Sequence, residues 1–175
     1  TKGEIGSFRQ VEFDNYYLNG IKIEGVRRYE VVDIEEGVDK TVQMTLENGK
    51  MTYPDGSFST RSKIITKYIT YNEGERVSTS VTGNANGMNS DGIAYEMEIT
   101  SPILFTRVCA KELIHKKGKI PVLGVKRIVK GESEMIINYG DGECDFVAEI
   151  TKDGVTETID LKEIKRKRKF RKLKS

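Results

Sequence analysis

Asn-Gly and Asp-Gly pairs set between runs of alternating apolar residues constrain this chain more than any other feature. Such pairs supply the positive φ angles of a type I′ turn, whose twist matches that of two antiparallel strands. Leu18 leads into Asn19-Gly20, and Ile21 and Ile23 leave it. Val42, Met44 and Leu46 alternate into Asn48-Gly49, and Met51 and Tyr53 continue the period of two, which predicts a second hairpin there. Asp55-Gly56 reverses the chain again after Pro54, and Asp153-Gly154 joins the last two candidate strands. Between them lies a β-branched and aromatic run containing Ile64, Ile65, Tyr68, Ile69 and Tyr71. Val77, Thr79 and Val81 alternate before a Gly-, Asn- and Ser-rich stretch, 83–92, which reads as a long loop; Ile93, Tyr95, Met97 and Ile99 alternate after it.

The last third repeats the pattern, with candidate strands at 103–109, 120–129 (broken at Gly124), 135–139, 144–150 and 155–161. Residues 110–117 form the one helical candidate, as a short helix or a loop. Turn signals recur at a spacing of roughly 8–12 residues, and no long amphipathic helical pattern interrupts them. The expected fold is therefore all-β, an antiparallel hairpin meander forming a sandwich or a half-open barrel. Periodicity does not choose between the two, because it shows which residues share a face but not whether a twisted meander closes on itself. A chain of 175 residues fits a single all-β domain over 1–161, followed by a basic extension over 162–175.

Charge supports that division. The net charge of +2 conceals nine Lys or Arg and one Glu in 162–175, which leaves 20 basic against 26 acidic residues in the body. The five consecutive basic residues 165–169, followed by Phe170 and Leu173, would attract phosphate-rich surfaces such as an anionic envelope. The acidic body and the lack of a recognised binding motif speak against nucleic acid. No run approaches the roughly 18 apolar residues that would span a bilayer as a helix. The chain begins at Thr1 and reads as a mature or trimmed piece, so any export signal or lipid-bearing cysteine would lie upstream of it.

Chemistry-bearing residues are sparse. Cys109 and Cys144 lie on neighbouring strand candidates; paired in an oxidising compartment they would close a loop of about 35 residues, worth roughly 3 to 4 kcal/mol by chain entropy. The alternative is two buried thiols packed as small apolar residues. Two Cys and one His fall short of a tetrahedral zinc centre. His115 stands beside Lys116 and Lys117, a setting for a solvated side chain rather than a general acid or base. There is no Gly-x-Ser-x-Gly elbow, phosphate loop or His-Glu-x-x-His, although paired carboxylates of the glycosidase kind leave no sequence signature. Asp141, Glu143 and Asp145 alternate, so on a strand they would share a face and could converge on Ca²⁺. That string lacks further oxygen ligands, and its Gly-Asp-Gly turn already accounts for it. No catalytic residue, metal or cofactor is expected.

The string Tyr139-Gly140-Asp141-Gly142-Glu143-Cys144-Asp145, followed by Ala148, Asp153-Gly154 and Ile159-Asp160-Leu161, resembles the C-terminal signature of uncharacterised surface or periplasmic lipoproteins of Bacteroidota. Phe13-Asp14-Asn15-Tyr16 before Asn19-Gly20 and Gly25, Val81-Thr82-Gly83, and Ser101-Pro102-Ile103 running into Cys109 are similar to that family too. The chain departs from it at Phe146, where such strings often continue with a polar amide, in the apolar Pro121-Val122-Leu123-Gly124, and in its basic tail. The resemblance implies an exported, lipid-anchored β protein and no known activity.

The functional expectation is a non-catalytic, extracytoplasmic binding module of the cell envelope, periplasmic or outer-membrane-anchored. It would recognise a glycan, lipid or envelope protein through an exposed aromatic face containing Tyr68, Tyr71 and Tyr95. A structural or interaction protein of the envelope is the alternative, and a glycan-active hydrolase ranks third. A concave apolar cavity would mark a carrier of apolar ligands, a continuous unpaired edge an assembly role, and two facing carboxylates a hydrolase.

Overall fold

The computed structural model describes residues 3–35, 39–112 and 120–163. In chain order these form β1 (Phe8–Leu18), β2 (Ile21–Glu35), β3 (Asp39–Thr52), β4 (Phe58–Asn72), β5 (Glu75–Met88), β6 (Ala94–Thr106), helix α1 (Arg107–Glu112), β7 (Leu123–Lys130), β8 (Ser133–Asp141), β9 (Val147–Lys152) and β10 (Val155–Asp160). Every strand pairs antiparallel with the one before it, so spatial order equals chain order in one ten-stranded sheet. β1 and β10 do not pair, and the sheet stays open. The all-β antiparallel meander forms as expected, as one open sheet not closed into a barrel rather than two packed sheets.

Where the turns fall follows the Asn-Gly and Asp-Gly logic at some pairs and departs from it at one. Asn19-Gly20 (φ 50° and 78°) and Asp153-Gly154 (48° and 86°) have the two positive angles of a type I′ turn. At Asp55-Gly56 the Asp55 carboxylate accepts the Ser57 N–H at 2.9 Å and closes the reversal. Asn48-Gly49 is not a turn. β3 runs through it to Thr52, with a register shift between Leu46 and Gly49. The positive φ of Asn48 (51°) makes a β-bulge, because this stretch is paired with β2 on one side and β4 on the other.

The stretch 83–92 is likewise not a long loop. β5 continues to Met88, and a short turn remains, in which the Asn89 side chain accepts the N–H groups of Asp91 and Ile93 at 3.1 and 2.9 Å. Gly83 (φ 130°) carries a bulge there, with a register shift between Val81 and Asn84. A Cβ at Gly83 would lie 2.1 Å from the Ile64 carbonyl oxygen. Gly83→Ala is therefore expected to destabilise by well over about 1 kcal/mol, since both the backbone angle and the space are wrong. Gly56→Ala, also at positive φ but with nothing within 4 Å, is expected to cost less. Chemical denaturation of the two variants checks the order; equal losses would mean that the close approach at Gly83 is unimportant.

Bulges also merge the candidate strands 93–99 and 103–109 into β6. Contrary to expectation, Cys109 lies in α1 and Cys144 in the turn between β8 and β9, not on strands. A strand could not hold both, because the chain leaves the sheet after Thr106 and again after Asp141.

Alternation combined with register divides the sheet into two faces. On one, Val31 pairs with Val42, Met44 with Tyr29 and Ile65, Val81 with Ile103, and Met97 with Ala85 and Ile128. The other carries Thr, Ser, Asn, Gln and Glu, with cross-strand pairs such as Gln43 with Thr66, Ser62 with Asn86, and Thr151 with Thr156. Val31, Val42, Ile65, Ile69, Ala85 and Ile103 are buried, and all lie on the first face. Among the described residues no second sheet packs on them. A second small core of Cys109, Ile120, Val122 and Phe146 packs with Leu104, Cys144 and Leu161.

Candidate functional site: an apolar face carrying unpaired cations

Sorting the charged residues of β1 to β8 by face leaves cations alone on the apolar side, while the polar side carries both signs. Arg27 and Lys63 flank Leu46 from the two neighbouring strands, Lys67 pairs with Val42, Lys40 with Ile34 and Ile69, and Arg61 with Gly49. All of these share the apolar face, as does Arg9 opposite Tyr29. No register-paired residue on that side of β1 to β8 is Asp or Glu. On the polar face the cations Lys22, Arg28 and Arg127 are each neutralised, by Glu24, Glu30 and Glu134 respectively.

Six cations of the apolar face on β1 to β4 have no such partner among the described residues. None of Arg9, Arg27, Lys40, Arg61, Lys63 and Lys67 makes an ion pair among the described residues. Arg27 instead lies along the sheet, its Nη2 donating to the Met44 sulfur at 3.6 Å, a weak acceptor. Desolvation holds the Lys63 ammonium below its usual pKa of 10.5, and the charges of Arg61, Arg27 and Lys67 push it the same way. A depressed folded-state pKa adds stability only above about 10.5, and that contribution is lost as pH falls through the folded value. At neutral pH the cluster therefore opposes folding, and a bound anion would relieve it.

Where β1, β2 and β3 meet on this face there is an open groove of about 790 Å³. Val11, Phe13, Tyr29 and Val31 give it an apolar lining, to which Arg9, Arg27 and Lys40 add positive charge. Its volume falls within the roughly 300–1,000 Å³ of small-molecule sites.

The tyrosines singled out from the sequence do not form one platform. Tyr68 is exposed on the polar face. Tyr71 is half-buried against the Val31, Val42 and Ile69 cluster. Tyr95 lies at the opposite end of the apolar face, its hydroxyl 3.5 Å from the Thr60 carbonyl. Asp141, Glu143 and Asp145 do not alternate on a strand either, because β8 ends at Asp141. Asp141 and Asp145 accept the N–H groups of Glu143 and Val147 at 3.3 and 3.0 Å, and among the described residues no three metal-ligating side chains converge. Cys109 and Cys144 are joined in a disulfide, with Cα atoms 5.2 Å apart. His115 and the basic run 165–169 lie outside the described residues.

A signal for the cationic face was present in the sequence. Lys63, Ile65, Lys67 and Ile69 share one parity, as do Lys126, Ile128 and Lys130. Ile64 and Tyr68, of the opposite parity, hid which face was the apolar one. Comparison with protein-family models, curated proteins and solved structures finds no match, so function is inferred from this face itself.

Proposed function

We propose that this chain is a non-catalytic, extracytoplasmic binding module of the bacterial cell envelope that holds an apolar ligand against the apolar face of its sheet. The observation that carries the reading is the open groove on an apolar face over which, among the described residues, no second sheet packs. The disulfide supports an oxidising compartment, and the resemblance to Bacteroidota envelope lipoproteins agrees with it.

Assembly through the free edge of β1 is the second reading, because its outer side has no partner strand among the described residues. The bulge between Phe13 and Tyr16 breaks that edge, a feature that discourages strand addition.

Saturable binding of an apolar fluorescent probe, with a rise in melting temperature, is the expected result for the wild-type chain. At a ligand concentration of 100 times Kd the stabilisation is about 2.7 kcal/mol. Val11→Asp, on an edge strand and in the groove, is expected to weaken binding at least tenfold while leaving the fold intact. No saturable binding and no thermal shift with any apolar probe would remove the proposal, and concentration-dependent association in the ultracentrifuge would favour the edge reading.

A further inference from the structure

We infer that the ligand is a single molecule of anionic lipid, its acyl chains lying on the apolar face and its phosphate headgroup held by Arg27, Lys63 and Lys67. This rests on the binding-module reading and adds the chemistry of the occupant. Arg27 and Lys63 stand on either side of Leu46, roughly 10 Å apart across two strand spacings, within reach of one headgroup for side chains of this length. Arg61 lies two residues from Lys63 on the same face, and Lys67 four residues away. Around them the half-buried side chains of Met44 and Leu46 are aliphatic, with Val42 and Ile65 buried beside them.

Each alternative occupant leaves one part of this surface unmatched. An uncharged apolar molecule would bury cations without a counterion, which is costly. A second copy packed face to face would oppose like charges, whereas one packed with its polar face inward would offer the acidic complement but no apolar surface. A carboxylate and a phosphodiester each carry one negative charge, but the phosphodiester headgroup adds ester and glycerol oxygens as acceptors for further donors. An anionic lipid satisfies both the apolar floor and the unpaired cations.

The test uses the full chain and short-chain lipids below their micellar concentration. Dihexanoyl phosphatidylglycerol, dihexanoyl phosphatidylcholine, an uncharged glycoside of similar chain length, inorganic phosphate, and phosphatidylglycerol vesicles are each titrated by calorimetry. The phosphatidylglycerol monomer is expected to bind at least tenfold more tightly than the phosphatidylcholine. The double variant Lys63→Gln with Lys67→Gln is expected to bring that ratio within about twofold while retaining the phosphatidylcholine affinity, and Lys63→Arg with Lys67→Arg to preserve it. Because removing these charges relieves repulsion, the glutamine variant is expected to melt no lower than wild type, so that lost discrimination is not lost folding. Equal binding of anionic, zwitterionic and uncharged amphiphiles overturns this inference and leaves the binding-module reading standing. No binding by any of them overturns both. Inorganic phosphate binding as tightly as the lipid, or vesicles binding where the monomer does not, also overturns it, in favour of a bare anion site or a membrane surface.

Discussion

Phe146→Ala is expected to lower the free energy of unfolding by about 3–5 kcal/mol, the range for emptying a phenylalanine-sized site in a packed core. The ring is 2% exposed and packs with Cys109, Ile120 and Val122, and the Lys162 ammonium sits 4.3 Å from its centroid. The backbone at this residue is left-handed, with φ of 62°. That conformation disfavours a bulky L-residue by about 1–2 kcal/mol, so burial of the ring must outweigh it. Asparagine tolerates the angle better. Phe146→Asn is therefore expected to lose the ring's packing yet to recover up to about 1 kcal/mol relative to alanine. Urea denaturation of both variants, with unchanged slopes, measures the two effects separately. A loss below about 1 kcal/mol for alanine would mean that this residue is not part of a real core.

Removing the disulfide has an effect of the same order. The double variant Cys109→Ala with Cys144→Ala is expected to lose about 2–5 kcal/mol. The bond spans 35 residues and ties α1, at the end of β6, to the turn between β8 and β9. It thus fastens the small core around Phe146 to a sheet with no second layer of its own. Against a typical total of about 5–15 kcal/mol, losing it removes a large share of the stability. A reductant should destabilise the wild type to the level of the variant and leave the variant unchanged. If wild type unfolds at the same midpoint with and without reductant, the pair is not bonded in solution, and the support for an oxidising compartment goes with it.

The two substitutions probe one end of the molecule, whereas the cationic face lies on β1 to β4, built on Val31, Val42 and Ile69. Stability and binding are thus separable by position. Variants at Cys109, Cys144 and Phe146 report on the fold, and variants at Val11, Lys63 and Lys67 on the ligand.

The alternation of apolar residues in 42–46 and 93–99 and the β-branched, aromatic run 64–71, with the turn pairs at Asn19-Gly20, Asp55-Gly56 and Asp153-Gly154, determined an antiparallel meander. The two cysteines were legible as a candidate pair, with two buried thiols as the alternative. Local pattern could not show that Asn48-Gly49 bulges instead of turning, because a positive φ serves either purpose and pairing on both sides of β3 decides. It could not show that Cys109 sits in a helix, since α1 is too short to carry a helical period. The candidate site was hidden for a related reason. Parity within a strand places Lys63 and Lys67 on a common side, but only register across β2, β3 and β4 brings Arg27 beside them. Whether the sheet closes depends on twist and bulges accumulated over ten strands. Those quantities arise between residues far apart in the chain, so the sequence by itself determined the antiparallel meander, and the tertiary structure decided where its strands bulge, that the cysteines bond, and that among the described residues no second sheet packs on the apolar, cationic face.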